Sequence, residues 1–220
     1  MNTALAITLG LLSLFALLLL VFEKSKTDEK LIAVVAALGT LAAVLRIPFA
    51  AIPNVQPTTF LVMISGYVFG VRAGFLTGVM AALLSNVYLG HGPWTLWQML
   101  AWGLGGALSG GLRKWLEPRT REGTMLATRH ACWLFLLVCT VWGVIFGWIM
   151  NLSIFVTLGP FATWPALLAL YARSMPFDLA HAAGNLCFAA LFSRDLARIL
   201  QRYHRKLTVS RLSRPEGGAS

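Results

Sequence analysis

The 220-residue sequence has few charged residues, since Asp, Glu, Lys and Arg together make up only 12% of it. Soluble domains carry about 25% charged residues and about 45–50% apolar residues, whereas hydrophobic residues make up 58% here. So little charge cannot cover the surface of a water-soluble globule, and it also excludes a disordered chain. The apolar runs are continuous rather than alternating, so the composition indicates an all-α integral membrane protein.

Motifs for nucleotide hydrolysis, metal binding and thiol chemistry are lacking as well. The sequence contains no G-x-x-x-x-G-K-[ST] loop, no H-E-x-x-H and no Cys-x-x-Cys, and its four histidines are scattered. His181-x-x-x-Asn185 is similar to the oxyanion element of intramembrane serine proteases, but no G-x-S-G nucleophile follows it. We therefore expect no catalytic residue, no metal site and no bound cofactor.

Seven apolar stretches are long enough, or nearly long enough, to cross about 30 Å of hydrocarbon as helices. Pro176 divides the last of them, and proline fits best in the first turn of a helix. We therefore expect an outer segment over 165–174 and the true crossing over 177–193. The seven stretches cover residues 2–22, 31–45, 57–71, 73–89, 95–113, 131–158 and 165–193.

The basic residues predict the orientation of these spans. Every Lys and Arg except Arg46 and Arg173 lies between spans one and two, three and four, or five and six, or after the last span. Cationic loops stay cytoplasmic, so we expect the N-terminus outside and the C-terminus inside. The net charge of +10 is accordingly interpreted as a consequence of topology and not of nucleic-acid binding.

Four segments are expected along the chain. Residues 1–22 are interpreted as an extra N-terminal transmembrane helix, because no positive region precedes them and no small-residue cleavage site follows them. A cytoplasmic linker over 23–30 leads to a six-helix membrane domain over 31–195. Residues 196–220 form a basic cytoplasmic tail, in which apolar residues among arginines favour an amphipathic helix on an anionic leaflet.

Polar side chains gather at the expected outer ends of the core spans. Asp178, His181 and Asn185 share one helical face, and Gln98 and Trp102 share another. Polar groups in hydrocarbon need partners, so this cluster predicts an outward-opening pocket for a small polar molecule with a planar or bulky apolar part. The candidate binding residues are Asn54, Gln56, His91, Trp94, Trp97, Gln98, Trp102, Asn151, Asp178, His181 and Asn185.

Structural roles remain open for several of these residues. The tryptophans fit an interfacial aromatic belt, Asn151 fits an interhelical hydrogen bond, and Asp178 fits a helix N-terminus. Small residues spaced by four also recur, from Gly66 to Gly78 and from Ala33 to Ala37. This spacing lets helices approach closely, either within the bundle or against a partner helix.

Three stretches resemble the substrate-binding S component of energy-coupling factor (ECF) transporters, which import vitamins. The resemblance covers 31–195 and implies a six-helix bundle in a prokaryotic cell membrane with both of its ends cytoplasmic. The helix over 1–22 departs from that plan. The stretches are Ile52-Pro53-Asn54-Val55-Gln56-Pro57-Thr58-Thr59-Phe60, then Ser85-Asn86 with Gly92-Pro93-Trp94-Thr95-Leu96-Trp97-Gln98-Met99, then Pro176-Phe177-Asp178-Leu179-Ala180-His181 with Asn185.

The resemblance also implies how such a protein works. It implies capture of a vitamin from outside, docking through an alanine motif that Ala33 and Ala37 match, and energy from a coupling membrane protein and two cytoplasmic ATPases. The stretch from Gly92 to Gln98 resembles a cobalamin-linked branch, which favours cobalamin, with riboflavin, thiamine and others open. A stand-alone secondary transporter of a small polar metabolite and a ligand-free membrane scaffold remain as alternatives.

Overall fold

The structure is a computed structural model that describes residues 29–116, 125, 126 and 128–212, side chains up to 206, and the isolated positions 10, 13 and 16. These residues form six α-helices, one short 3-10 helix (Gly159–Phe161) and no strand, which confirms the all-α prediction. The helices are α1 (Glu29–Arg46), α2 (Thr58–Phe69), α3 (Val71–Leu89), α4 (Trp94–Leu116), α5 (Arg129–Thr157) and α6 (Trp164–Leu212).

Parts of the predicted organisation fall outside the described residues. These parts are most of the N-terminal helix over 1–22, the linker up to 28 and the end of the tail from 213. By length and apolar composition, α3 and α5 qualify as membrane spans among the described helices, whereas the apolar α2 has only 12 residues. Seven spans with an outer N-terminus therefore stay a prediction.

α2 is the central helix of the bundle. Every residue from Thr58 to Val68 is buried, and α2 contacts each of the other five helices. A helix that is buried all round needs internal partners for its polar side chains. Thr58 donates a hydrogen bond to the carbonyl of Ala42 at 3.2 Å, and the hydroxyls of Ser65 and Thr77 lie 2.9 Å apart.

Glycines bring α2, α3 and α4 into direct backbone contact. A methyl group on Gly66 or Gly74 would overlap the carbonyl of Gly106, and one on Gly78 would overlap the backbone at Trp102. The glycines spaced by four therefore pack helices inside the bundle, as small residues at this spacing do in membranes. This packing sets the depth of Trp102, which matters for the site described below.

α5 lies against α6 through a second pair of glycines. A methyl group on Gly143 would overlap the backbone of Ala182, and one on Gly147 would overlap the carboxylate of Asp178. Both glycines belong to a Gly-x-x-x-Gly pattern, so the small residues face the partner helix. The contact places the polar face of α6 directly beside α5.

α6 is one continuous helix, so the predicted division at Pro176 is wrong. Proline has no N–H, and the carbonyl of Ala172 therefore lacks its usual helical partner. Membrane bundles tolerate such a proline because neighbouring groups and local adjustments satisfy the freed carbonyl. A helix-breaking residue in the sequence was thus overridden by packing.

The C-terminal part of α6 also runs without a break past residue 195, the predicted end of the membrane domain. Beyond that point Ala197 and Gln201 are buried, and the Gln201 side-chain oxygen accepts a hydrogen bond from the Met125 amide at 2.9 Å. The described start of the predicted tail therefore packs on the bundle. Its cytoplasmic location stays a prediction.

The glycine contact between α3 and α4 predicts a stability difference between two variants of α4. Gly106→Val should destabilise the protein by about 1–3 kcal/mol or more, because the added atoms overlap the Gly74 backbone. Gly111→Val is the matched control, since no atom lies within 4 Å of a methyl group placed there. Thermal unfolding in detergent measures both, and equal melting temperatures would contradict the close packing.

Candidate functional site

A cavity of about 230 Å³ lies at the end of the bundle where α1 and α5 finish and α2 and α4 begin. This is the end that the charge pattern predicts to be the outer one. The loop over 47–57 and the first half of α6 complete its wall. The cavity is lined by Arg46, Asn54, Gln56, Thr59, Gln98, Trp102, Phe146, Gly147, Met150, Asn151, Ser174, Phe177, Asp178 and His181.

Arg46, the last residue of α1, is buried with 9% of its surface exposed. Its Nε donates to Gln56 Oε1 at 2.9 Å, and its Nη1 donates to Ser85 Oγ at 2.7 Å and Asn86 Oδ1 at 2.9 Å. The guanidinium carbon also lies 4.9 Å from the centre of a Trp102 ring, a cation–π distance. Arg46 therefore joins α1 to the loop, to the end of α3 and to α4.

The hydrogen bonds of Arg46 continue through Asn86 to the start of α4. Arginine has donors only, so Asn86 must turn its oxygen toward Arg46 and its nitrogen away. That nitrogen donates to Thr95 Oγ1 at 3.0 Å and to Gln98 Oε1 at 2.7 Å. This bond sets the orientation of the Gln98 amide: its oxygen accepts from Asn86, and its nitrogen can donate to a group in the cavity.

Three rings form the floor of the cavity. Phe146 lies between Trp102 and His181, with ring centroids 4.8 Å and 5.0 Å away, respectively. The Thr59 hydroxyl accepts a hydrogen bond from Trp102 Nε1 at 2.9 Å and lies 2.8 Å from His181 Nε2. α2 therefore ties together two rings from different helices, and the floor is aromatic with its polar edges satisfied.

The wall formed by α5 and α6 carries the carboxyl group of the site. The hydroxyl of Ser174 donates to Asp178 Oδ2 at 2.8 Å and accepts from Asn151 Nδ2 at 2.7 Å. Asp178 is 5% exposed, and its second oxygen fits beside Gly147 because that residue has no side chain. The carboxyl group is thus held from one side and presented to the cavity from the other.

The loop over 47–57 covers the cavity and rests on α6. Asn54 has a φ of 60°, a left-handed conformation that asparagine adopts more readily than most residues. Its amide nitrogen donates to the Phe177 carbonyl at 3.2 Å, and deeper on α6 the ring of Phe49 packs edge-on against Phe188 at 5.4 Å. The loop is therefore anchored on α6 at two points, Phe49 and Asn54.

The structure brings most of the predicted binding residues together. Those that line the cavity are Asn54, Gln56, Gln98, Trp102, Asn151, Asp178 and His181. They come from the loop, α4, α5 and α6, and their shared position agrees with the expectation that polar side chains gather at one end of the bundle. Their contact with a ligand is untested and is taken up below as a proposal.

Four predicted binding residues do not line the cavity. Trp97 is buried on another face of α4, and His91 and Trp94 are exposed near the α3–α4 loop. Asn185 lies one turn further along α6 than His181, fully buried, and donates to the Cys139 carbonyl at 3.1 Å. Spacing along α6 places Asn185 on the same helical face as Asp178 and His181. It cannot show that the cavity ends before it reaches Asn185.

Seven lining residues were not predicted as binding residues, namely Arg46, Thr59, Phe146, Gly147, Met150, Ser174 and Phe177. Arg46 had a signal in the sequence as one of two basic residues outside the predicted cytoplasmic loops, and Thr59 and Phe177 lie in the stretches that carry the resemblance. Among the described residues, no group of three His, Cys, Asp or Glu is placed to hold a metal ion.

The Arg46 hydrogen bonds predict a stability effect at Asn86. Asn86→Leu keeps the branched shape of the side chain but removes an acceptor from Arg46 and a donor from Gln98, which should cost about 1–3 kcal/mol. Val87→Leu is the control on the next residue of α3, whose side chain is 74% exposed. Thermal unfolding in detergent measures the difference, and a melting temperature equal to the control would show that these bonds contribute nothing.

Comparison with known proteins adds one finding to this geometry. The family model of the ECF-type riboflavin transporter S component matches residues 25–198. No curated protein and no solved structure matches the chain. The matched range contains every cavity-lining residue and covers most of the sequence. The chain therefore belongs to the ECF-type riboflavin transporter S component family, whose members are membrane transporter components.

Proposed function

We propose that this protein captures a vitamin or related micronutrient from the outer face of a prokaryotic cell membrane and delivers it inward with ECF partners. The observation that carries the proposal is the cavity, where polar side chains from five helices and the loop over 47–57 converge over an aromatic floor. Small-molecule sites have this composition, with apolar walls and a few placed polar groups. The family membership supports a vitamin-type substrate.

Each predicted binding residue has a specific proposed role. Trp102 and the rings beside it support the flat face of a ligand, while Gln98, Asp178 and Asn54 bind its polar edges. Gln56 and Asn151 assist at the loop and at α5, and His181 completes the floor. Trp97 and Asn185 support the cavity from behind, and His91 and Trp94 lie at the outer surface.

The size of the cavity bears on the identity of the ligand. The matched family carries riboflavin in its name, whereas the sequence favoured cobalamin. A volume of about 230 Å³ is below the range of about 300–1,000 Å³ that is common for ligand sites. This volume favours a small ligand, or one ring system of a larger one. Cobalamin would require the loop over 47–57 to open, so we place it behind smaller vitamins.

A docking face on α1 is the second part of the proposal. Ala33 and Ala37 are exposed, and the large apolar side chains of Ile32, Leu41 and Val44 are exposed on the same helix. Small residues at this spacing allow a partner helix to approach the backbone closely. We assign this face to the coupling membrane protein, which would transmit the work of two cytoplasmic ATPases.

Ligand affinity tests the proposed site. Gln98→Ala and Asp178→Ala should each weaken binding by about 1–3 kcal/mol, because each removes a buried hydrogen bond to the ligand. Titration calorimetry in detergent, with riboflavin and cobalamin in turn and with any vitamin that native mass spectrometry finds co-purified, measures the change. Arg173→Gln is the control, since Arg173 is exposed on α6 and does not line the cavity. Unchanged affinity in both alanine variants would remove the site assignment.

Co-purification tests the docking face. Ala37→Trp should abolish recovery of the coupling protein with this chain and leave ligand binding intact, because the indole blocks close helix approach. Ala190→Trp, at an exposed alanine of α6, is the matched control. A normal yield of the complex with Ala37→Trp would contradict the assignment. Vitamin uptake into liposomes without any ATPase would favour the stand-alone transporter instead.

A further inference from the structure

Arg46 forms no ion pair with a described residue. Its three hydrogen-bond partners, Gln56, Ser85 and Asn86, are neutral. The ion pair seen between two described residues is the exposed Arg198–Asp195 pair, far from Arg46 in the chain. Asp178 lines the same cavity, but its carboxylate is not within 4.0 Å of Arg46. Buried charges in proteins are normally paired, so a buried guanidinium that meets only neutral partners beside a cavity is suited to binding an anionic group.

The hydrogen bonds around Arg46 leave three donor groups on this side of the cavity without a described acceptor. A guanidinium has five N–H groups, and the bonds of Arg46 use the one on Nε and the two on Nη1. The oxygens of Gln56 and Gln98 are taken by Arg46 and Asn86, so their amide nitrogens remain. Nη2 of Arg46 and these two nitrogens donate to no described residue. An acceptor-rich group suits this corner.

From these contacts we infer that the ligand carries an acidic group, a carboxylate or phosphate, that binds in the corner formed by Arg46, Gln56 and Gln98. The inference rests on the proposed function and names the chemical class of its substrate. Arginine recognises both acidic groups through charge-assisted hydrogen bonds. The planar part of the ligand then lies on Trp102, and a donor group reaches Asp178, whose Oδ1 accepts no hydrogen bond from a described residue.

Three small benzene derivatives separate the effect of the acidic group on affinity from the effects of the ring and the donor group. Para-aminobenzoate has an acid, an aromatic ring and a donor, para-aminobenzamide replaces the acid by a neutral amide, and benzoate lacks the donor. Saturation-transfer NMR on the full chain in nanodiscs measures their affinities. We expect the acid to bind about 10-fold or more tightly than the amide, and Asp178→Asn to reduce the advantage of para-aminobenzoate over benzoate.

Three variants with the same change of net charge locate the effect. Arg46→Gln removes the cation and should bring the affinity ratio of acid to amide close to one. Gln56→Glu places a carboxylate beside Arg46 and should reverse the preference. Arg173→Gln changes an exposed arginine of α6 outside the cavity and should keep the wild-type ratio. If Arg46→Gln does not fold, the acid-to-amide affinity ratios of the wild type and of Gln56→Glu test the inference.

An equal affinity for acid and amide in the wild type overturns the inference. A preference for the acid that persists in both Arg46→Gln and Gln56→Glu also overturns it. The same holds if none of the three probes binds up to its solubility limit. Co-purification with the coupling protein tests the proposed function separately. A neutral ligand preference with intact co-purification rejects only the acidic group, whereas loss of co-purification in the wild type rejects the function.

Discussion

The buried guanidinium of Arg46 organises the polar end of this bundle. Removing a charge from water is costly, and Arg46 offsets that cost with neutral oxygens from the loop and from α3 and with the face of Trp102. Because arginine only donates, every amide that touches it must present its oxygen. The constraint passes through Asn86 to Gln98, so one cation determines which atoms of two glutamines face the cavity.

Glycine packing supplies the other half of the site. Gly78 brings α3 against the backbone of Trp102, and Gly143 brings α5 against α6 just below His181. These close approaches place Trp102 and His181 at the same level in the bundle. Gly147 leaves room for the Asp178 carboxylate. The floor and walls are therefore built from packed helices, and the roof is a loop with hydrogen-bonded turns. A transporter that must bind and release benefits from such a division, since loops move more easily than helix cores.

The sequence predicted the helical class, the approximate positions of α1 to α5 and the gathering of polar side chains at one end, because these depend on local composition and on helical spacing. It placed Gln98 and Trp102 on one face correctly, since they are one turn apart. It treated the neighbouring Trp97 as equivalent, although a residue one position from Gln98 points about 100° away around the helix. Arg46 was recognised as an exception to the charge pattern, but nothing local showed that it turns inward.

Composition and spacing alone therefore determined that this chain is helical and membrane-like and that one end of its bundle is polar. Only the tertiary structure decided which polar groups face a common cavity, that Pro176 lies within one continuous helix, and that Arg46 meets neutral partners. Those outcomes depend on contacts such as Arg46 with Asn86 and Thr59 with His181, which lie 40 and 122 positions apart along the chain. Hydrogen bonds over such separations follow from packing, which no local pattern encodes.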